Sequence, residues 1–243
     1  MPTPPADTSS DHTHAGTPPS AAAADRQPTR WAGVAPAERR AERRTLLVDA
    51  AFDLLGTEGW SGTTVRAVCQ AARLNPRYFY ESFDDLDRLV VAVYDRLVAG
   101  LTTAIMNAVD AAGDDPAVQT RAAIDSIVAF VDDDRRRARV LYVEALGNEA
   151  LNRRRIETGH ALVAAVEQHT IDRHGPPPPG EQIGRIGAAV LVGGTSELVL
   201  AWLDGRIDVP RDQLVDDATA LFLAVGEAAA AVAAGRQTGP ARA

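Results

Sequence analysis

The sequence predicts an all-α protein, and three observations support that class. Apolar residues recur at helical spacing along most of the chain, whereas no segment shows the alternation of a β-strand. Glycine and proline clusters interrupt these patterns at intervals that suit helices. At 243 residues and 46% hydrophobic, with a formal net charge of −8, the chain can bury a full core. We therefore expect a small helical domain at 35–83 and a larger helical domain at 84–233.

Both ends of the chain are predicted to be disordered. Residues 1–34 combine Pro, Thr, Ser and Ala without apolar periodicity, which is typical of a disordered tail. Residues 234–243 follow the last periodic segment, and we expect them to form a second tail.

The first predicted helix begins after Pro36 and ends near Gly56 and Gly59. Its apolar face follows helical spacing and consists of Leu47, Ala50, Ala51, Leu54 and Leu55. Its first turns carry three arginines that lack a carboxylate three or four positions away in the helix, namely Arg40, Arg43 and Arg44. These arginines suit contacts with a phosphate backbone, although a solvated helix face explains them almost as well.

Residues 63–83 predict two short helices joined by a tight turn. In the first of them, Val65, Val68 and Ala72 recur on one face, and Thr63 or Thr64 caps its start. Such a helix can bury that face against a partner helix.

The second short helix starts at Asn75, a strong N-cap, and Pro76 suits its first position because the missing N–H would have been unpaired there. Phe79 and Phe83, four apart, supply its buried face. The opposite face offers Arg77, Tyr78, Tyr80 and Glu81. Because Tyr and Arg contact phosphates and Arg also reads guanine edges, this face predicts a helix that enters a DNA groove. The alternative is that the two tyrosines pack against neighbouring helices.

The long first helix, the Thr-Thr-Val start at 63–65, the Leu-Asn turn and the aromatic run through Tyr80 to Phe83 resemble the DNA-binding domain of the tetracycline-repressor (TetR/AcrR) family. The resemblance implies a helix-turn-helix whose third helix lies in the major groove. It also implies base and phosphate contacts from Asn75, Arg77, Tyr78, Tyr80 and Glu81. We expect the adjoining Thr64, Arg66 and Pro76 to belong to the same DNA-binding surface.

Two positions depart from the family pattern. A glycine usual at the turn is Arg73 here, which predicts either a left-handed residue, with strain of about 1 kcal/mol, or an altered turn. The acidic run 84–87 replaces a basic residue common after the final Phe, and Arg88 is the candidate to compensate. Residues 30–83 nevertheless hold eight Arg against six acidic residues, so the local charge favours phosphate despite the acidic total.

The rest of the chain predicts further helices. Apolar spacing indicates one long helix at 86–105, followed by helices at 117–131, 136–146, 148–169, 182–203 and 211–233. Their lengths favour a helical bundle.

The last two predicted helices carry small and apolar residues that suit close packing between helices. The resemblance implies that this pair forms a homodimer interface, with candidate residues Gly187, Val190, Gly194, Leu214, Ala218, Leu221 and Val225. Periodicity alone leaves internal core as the other interpretation.

The resemblance also implies a small-molecule effector enclosed among the central helices. Candidate effector-binding residues are the polar or aromatic residues on otherwise apolar helices, namely Asn107, Tyr142, Glu144, His160, Glu197 and Trp202.

Other kinds of site lack support in the sequence. Cys69 is the single cysteine, so neither a disulfide nor a cysteine metal site is expected within one chain, and we predict no metal or cofactor. No phosphate loop, nucleophile elbow or Cys-His pair is present, so we predict no enzyme. Charges or glycine pairs interrupt the long apolar stretches and no secretion signal is visible, which predicts a cytoplasmic protein without a membrane partner.

The predicted function is a homodimeric, ligand-responsive DNA-binding transcriptional regulator. We expect a repressor that a small-molecule effector releases from a palindromic operator in double-stranded DNA. The alternative is an all-α small-molecule-binding protein or enzyme without DNA-binding activity.

Overall fold

The computed structural model describes residues 36–175, 177 and 180–238. From Arg40 onward these residues belong to one compact unit, whereas Pro36–Arg39 are assigned to a preceding unit. The predicted tail at 1–34 and the last five residues of the predicted tail at 234–243 lie outside the described residues.

All regular structure in the described part of the chain is helical, which confirms the all-α fold class. The α-helices are α1 (Pro36–Thr57), α2 (Val65–Ala71), α3 (Pro76–Tyr80), α4 (Leu86–Ala111), α5 (Pro116–Asp132), α6 (Arg135–Ala138), α7 (Ala145–Gly147), α8 (Glu149–His174), α9 (Ile183–Leu203) and α10 (Arg211–Thr238). A 3₁₀ turn at Trp60–Gly62 follows α1, and a π-helical segment at Arg139–Glu144 joins α6 to α7.

The first three helices pack around one apolar cluster that continues into the following helices. Leu47 and Leu55 of α1, Val68 of α2 and Phe79 of α3 are fully buried together. Leu89 of α4 belongs to the same cluster, so apolar contacts cross the predicted domain boundary between residues 83 and 84. Burial of several large side chains at once gives α3, only five residues long, a stability that it lacks by itself.

The later helices form a bundle in which α4 packs on α5 and α8, and α10 packs on α5 and α9. A second apolar cluster lies between α5 and α10, where Ile124 and Val128 contact Leu214, Val215 and Ala218. This arrangement supports the helix pattern predicted from the sequence.

The structure differs from the prediction in four helices. Helix α4 continues to Ala111, six residues beyond the predicted end at 105. The predicted helix at 136–146 is divided into α6, the π-helical segment and α7. Helix α8 continues to His174 and α10 to Thr238, in both cases five residues beyond the predicted ends at 169 and 233. Periodicity located these helices but not their ends, because the terminal turns carry little apolar signal.

Three described helices are long and apolar enough to cross a membrane by length and composition, namely Leu86–Ala111, Ile183–Leu203 and Arg211–Arg236. The sequence prediction had found each long apolar stretch interrupted by charges or glycines. The two findings are compatible, because a membrane-spanning helix can contain a few charged residues or glycines.

Candidate nucleic-acid interface

Two side-chain caps and one tight turn build the helix-turn-helix. The hydroxyl of Thr64 accepts a hydrogen bond from the amide of Ala67 at 3.1 Å, which caps α2. The side-chain oxygen of Asn75 accepts one from the amide of Arg77 at 2.9 Å, and Pro76 occupies the first position of α3. These are the caps that the sequence predicts.

The turn between the two helices uses a left-handed residue, one of the two outcomes expected at Arg73. Its φ angle is 54°, and it is the non-glycine residue with positive φ in the described part of the chain. The amide of Leu74 donates to the carbonyl of Cys69 at 2.9 Å, and the amide of Arg73 donates to the carbonyl of Gln70 at 3.1 Å. This pair of bonds is a Schellman motif, whose left-handed position usually holds glycine.

Helix α3 presents an aromatic and basic face to the outside. Phe79 is fully buried and contacts the ring of Phe83 at a centroid distance of 6.0 Å, so it fixes the helix on the core. Tyr78 and Tyr80 are 38% and 62% exposed, and the side chain of Arg77 is 83% exposed. The tyrosines therefore do not form ordinary core, and the face remains available to a ligand.

Glu81, at the end of α3, joins two arginines. One carboxylate oxygen accepts from Nε of Arg77 at 3.0 Å, and the other accepts from Nη2 of Arg43 at 3.4 Å. The guanidinium of Arg43 also lies over the ring of Tyr78 at 4.6 Å, and its side chain is only 14% exposed. Arg43 thus packs α1 against α3, although its sequence pattern suggested an outward-facing phosphate contact.

The remaining predicted DNA-binding residues lie at the outer surface of these helices. Arg40, Arg66, Thr64 and Pro76 are exposed. Arg44 is exposed as well, but its Nη1 donates to the carbonyl of Ser82 at 3.0 Å and its guanidinium covers the ring of Phe83 at 4.1 Å. Arg40 and Arg66 are therefore the freer of these cations.

A polar junction connects the end of α1 to the π-helical segment. Arg139 donates through Nη1 to the carbonyl of Thr57 at 2.7 Å and through Nε to Glu144 at 2.9 Å. The other oxygen of Glu144 accepts from the amide of Trp60 at 2.8 Å. Gly59, with φ of 76°, lies against both side chains, because a Cβ atom there would be 2.7 Å from Arg139 and 2.8 Å from Glu144. We call these residues, Thr57, Gly59, Trp60, Arg139 and Glu144, the junction.

The role of Arg139 is not predicted from the sequence, and Glu144 was expected to be an effector ligand. The side chain of Glu144 is 12% exposed, and its two oxygens accept hydrogen bonds from Arg139 and from the amide of Trp60. Its local pattern gives no sign of this, since Trp60 lies 84 residues away along the chain.

The other predicted effector residues do not gather in one place. Asn107, His160 and Glu197 are exposed, and Glu197 lies 3.8 Å from Arg206. The indole N–H of Trp202 donates to the carbonyl of Val209 at 2.9 Å, so this ring closes the turn before α10. Asn107, His160 and Glu197 are therefore surface residues, and Trp202 belongs to the internal packing.

Tyr142 is the predicted effector residue with a clearly altered environment. It is half-buried against the apolar clusters, and burial raises its pKa to about 12, with the nearby Tyr94 contributing. Burial also raises the pKa of Tyr94, while a hydrogen bond with Thr158 opposes that shift. Each phenol is therefore held in its protonated form.

A surface cleft of about 380 Å³ lies elsewhere, beside the start of α4. Its lining includes Arg44, Phe83, Arg88 and Asp95, and none of the predicted effector residues. Arg88, the candidate to compensate for the acidic run 84–87, lines this cleft together with Arg44.

The predicted dimer residues separate into inward-facing and outward-facing sets. Leu214 and Ala218 are buried against α5, so their assignment to a partner interface is corrected to internal core. A Cβ atom at Gly187 would lie 3.7 Å from Val225, which shows that these two residues meet where α9 packs on α10. Val190 and Leu221, by contrast, are 59% and 65% exposed, and Gly194 is open on its outer side.

Comparisons with known proteins agree with this geometry. Residues 47–93 match the model of the family described as bacterial regulatory proteins, tetR family. The match covers the second half of α1, all of α2 and α3 and the start of α4, which are the helices that carry and support the exposed face. No curated protein sequence matches the chain significantly.

Solved structures share the fold over most of the chain. A transcriptional regulator from Rhodococcus sp. Rha1 superposes with a TM-score of 0.62 at 20% identity, over 76% of this chain and 96% of its own. A TetR-like transcriptional regulator from Rhodococcus sp. RHA1 gives 0.58 at 22% identity, over 79% and 97%. The multidrug binding protein EbrR, complexed with imidazole, gives 0.54 at 21% identity, over 74% and 94%.

Family members are regulatory proteins and not enzymes. The matched helices and the exposed face of α3 together make residues 47–93 similar to the DNA-binding part of bacterial regulatory proteins of the tetR family.

Proposed function

We propose that the protein acts as a homodimeric repressor, binds a palindromic operator through α3 and leaves it when a small-molecule effector binds. The observation that carries the proposal is the face of α3, where Arg77, Tyr78 and Tyr80 remain exposed beside a fully buried Phe79. Exposed aromatic and guanidinium groups in one turn have little stabilising role in water, whereas a major groove uses them for phosphate and base contacts. A site of action on DNA also implies the cytoplasm.

Individual contacts follow from the orientation of each group. Arg77 reads a guanine edge or binds a phosphate, and Tyr78 and Tyr80 fix the position of the helix on the backbone. Thr64 and Asn75 present the N-termini of α2 and α3 to phosphates, with Arg40 and Arg66 alongside.

A homodimer explains the exposed apolar residues at the end of the chain. Ile186 and Val190 on α9 and Leu221 on α10 are large, apolar and more than half exposed. A second copy with the same face would bury them in a two-fold contact, and its α3 would lie in the next major groove, about 34 Å away. The two-fold symmetry of the dimer would then match that of the operator.

Effector release is proposed from the likeness to a family whose members bind small molecules. One structure with this fold is that of a multidrug binding protein with bound imidazole. An effector can bind more tightly to a conformation in which the two α3 helices have a different spacing. Operator affinity then falls by an amount set by the effector's difference in affinity for that conformation and the DNA-binding one.

Genomic fragment selection with the purified protein tests the proposal. We expect one or a few palindromic sites, with operator affinity that falls steeply as salt rises because bound phosphates release counterions on protein binding. Compounds made or consumed by the products of neighbouring genes are then added to the complex, and release is measured by fluorescence anisotropy. Binding that ignores sequence would contradict the proposal.

Substitution of Arg77 with Ala is expected to weaken operator binding by about 1–3 kcal/mol, since a bidentate base contact is lost. The matched control is R153A on α8, which removes another highly exposed arginine, paired with Glu149 at 2.8 Å. Binding titrations should show a loss only for R77A, with both variants folded by circular dichroism. Equal affinities for R77A and the wild type would exclude Arg77 from the DNA contact.

A further inference from the structure

The carboxylate of Glu81 has the geometry of a support for Arg77. Both of its oxygens are engaged, one by Nε of Arg77 at 3.0 Å and one by Nη2 of Arg43 at 3.4 Å. Its side chain is 29% exposed, compared with 83% for Arg77. A carboxylate that reads a base edge turns an oxygen towards the amino group of cytosine, whereas both oxygens of this carboxylate are directed at arginines.

Arg43 anchors this arrangement from α1. Its side chain is 14% exposed, and its guanidinium lies over the ring of Tyr78 at 4.6 Å. The Nε atom of Arg43 is buried without a hydrogen-bond partner among the described residues. The structure therefore holds Arg43 in place by packing, and Arg43 in turn fixes the carboxylate.

Arg77 is left with its outer edge available. Only the Nε–H of its guanidinium is used by Glu81, and among the described residues no other group bonds to it. Its two terminal nitrogens are those that bond to O6 and N7 of guanine in a bidentate contact. A guanidinium already held at Nε loses less side-chain freedom when it binds, since its orientation is set beforehand.

We propose that Glu81 is a positioning residue that orients Arg77 towards a guanine and thereby sets sequence specificity, with Arg43 as its anchor. This inference rests on the proposed function, and it replaces the direct DNA contact that the family resemblance implies for Glu81. The carboxylate does not touch DNA. It acts through the side chain of Arg77.

E81Q should raise the affinity for non-specific DNA and lower the discrimination in favour of the operator. Arg43, Glu81 and Arg77 together carry about +1, and E81Q raises this to about +2. Non-specific DNA is attracted by charge alone, so E81Q binds it more tightly than the wild type does. Operator discrimination falls in the same variant, because Arg77 is no longer oriented. A purely structural role for Glu81 would lower both affinities together.

The test measures the dissociation constants of the wild type, E81Q, R77A and the double variant E81Q/R77A for the selected operator and for a scrambled duplex. We expect E81Q to reduce the ratio of specific to non-specific affinity by about 3- to 10-fold, the effect of releasing one long side chain. In the R77A background, E81Q should leave that ratio unchanged, since the residue on which Glu81 acts is gone. Operators with each base at the guanine assigned to Arg77 should show weaker preference in E81Q.

E149Q on α8 is the matched control, because Glu149 also bonds to an arginine four residues away, at 2.8 Å, and the variant loses the same charge. It should keep the ratio of the wild type. Additive effects of E81Q and R77A, or a new base preference in E81Q at a second position, would show a direct contact by Glu81 and overturn the inference. Failure of the wild type to select any operator would instead refute the proposed function.

Discussion

The turn between α2 and α3 holds an arginine where its backbone geometry favours glycine. Arg73 has φ of 54° and occupies the left-handed position of a Schellman motif. The sequence allowed this outcome or an altered turn, and could not choose because the choice depends on how α2 and α3 pack. Burial of Val68 and Phe79 on one core fixes the angle between the helices. The backbone strain then lies at Arg73.

Replacement of Arg73 with glycine should stabilise the protein by about 1 kcal/mol, since a residue without Cβ adopts positive φ freely. Urea unfolding at neutral pH measures the change. R73A is the control, because it removes the same charged side chain but keeps the Cβ atom. If R73A gains as much stability as R73G, side-chain repulsion and not backbone strain is the cause.

Tyr142 should make stability fall at high pH. Its pKa is raised from 10 to about 12 in the folded protein, so the unfolded chain loses its phenolic proton first as pH rises. The stabilisation is complete below pH 10 and is lost between about pH 10 and 12. Unfolding free energies measured across that range should decline less steeply for Y142F than for the wild type. Equal slopes for Y142F and the wild type would contradict this role of Tyr142.

At the level of elements, the π-helical segment marks the limit of what periodicity could predict. Apolar spacing identified a helix at 136–146, and helical structure is indeed present there. In the interrupted segment Arg139 donates to the carbonyl of Thr57, 82 residues earlier in the chain, and local spacing does not encode that partner. The apolar residues of α1 to α3 were predicted because their spacing is local, whereas the junction was missed because its partners are distant.

Gly59 in the junction should not tolerate a side chain. Its φ of 76° and ψ of −171° are essentially restricted to glycine, and a Cβ atom would collide with Arg139 and Glu144. We expect G59A to lower the free energy of unfolding by about 1–3 kcal/mol. Thermal and urea unfolding of G147A provide the control, because a Cβ atom at Gly147 meets nothing within 4 Å. Equal stability of the two variants would contradict the packing described for the junction.

For the whole molecule, the sequence identified apolar faces but not what covers them. Leu214, Ala218 and Leu221 lie on the same helix, yet the first two are buried against α5 and the third is 65% exposed. The family resemblance assigned all three to a partner, and periodicity left internal core open, since burial inside one protomer and burial between two leave the same pattern. The contact with α5, about 90 residues earlier in the chain, decides between them.

Leu221 provides a test of the proposed homodimer. L221E would place a carboxylate in an apolar contact between copies, so we expect the dimer to dissociate at least ten-fold more readily, as burial of an unpaired charge is unfavourable. Sedimentation velocity over a range of concentrations measures the change. V118E on α5 alters a comparably exposed apolar residue and should remain dimeric. A wild-type protein that is monomeric at every concentration would contradict the homodimer itself.

The ion pair between Arg139 and Glu144 joins the first and last residues of the π-helical segment, five positions apart. In an α-helix, residues five apart point about 140° away from each other around the axis, since each residue advances by about 100°. Only the wider π winding brings both side chains to one side. The hydrogen bonds to Thr57 and Trp60 therefore depend on the π-helical winding of this segment. Removal of one residue from this turn would separate Arg139 from Glu144 and break the bonds that hold the end of α1.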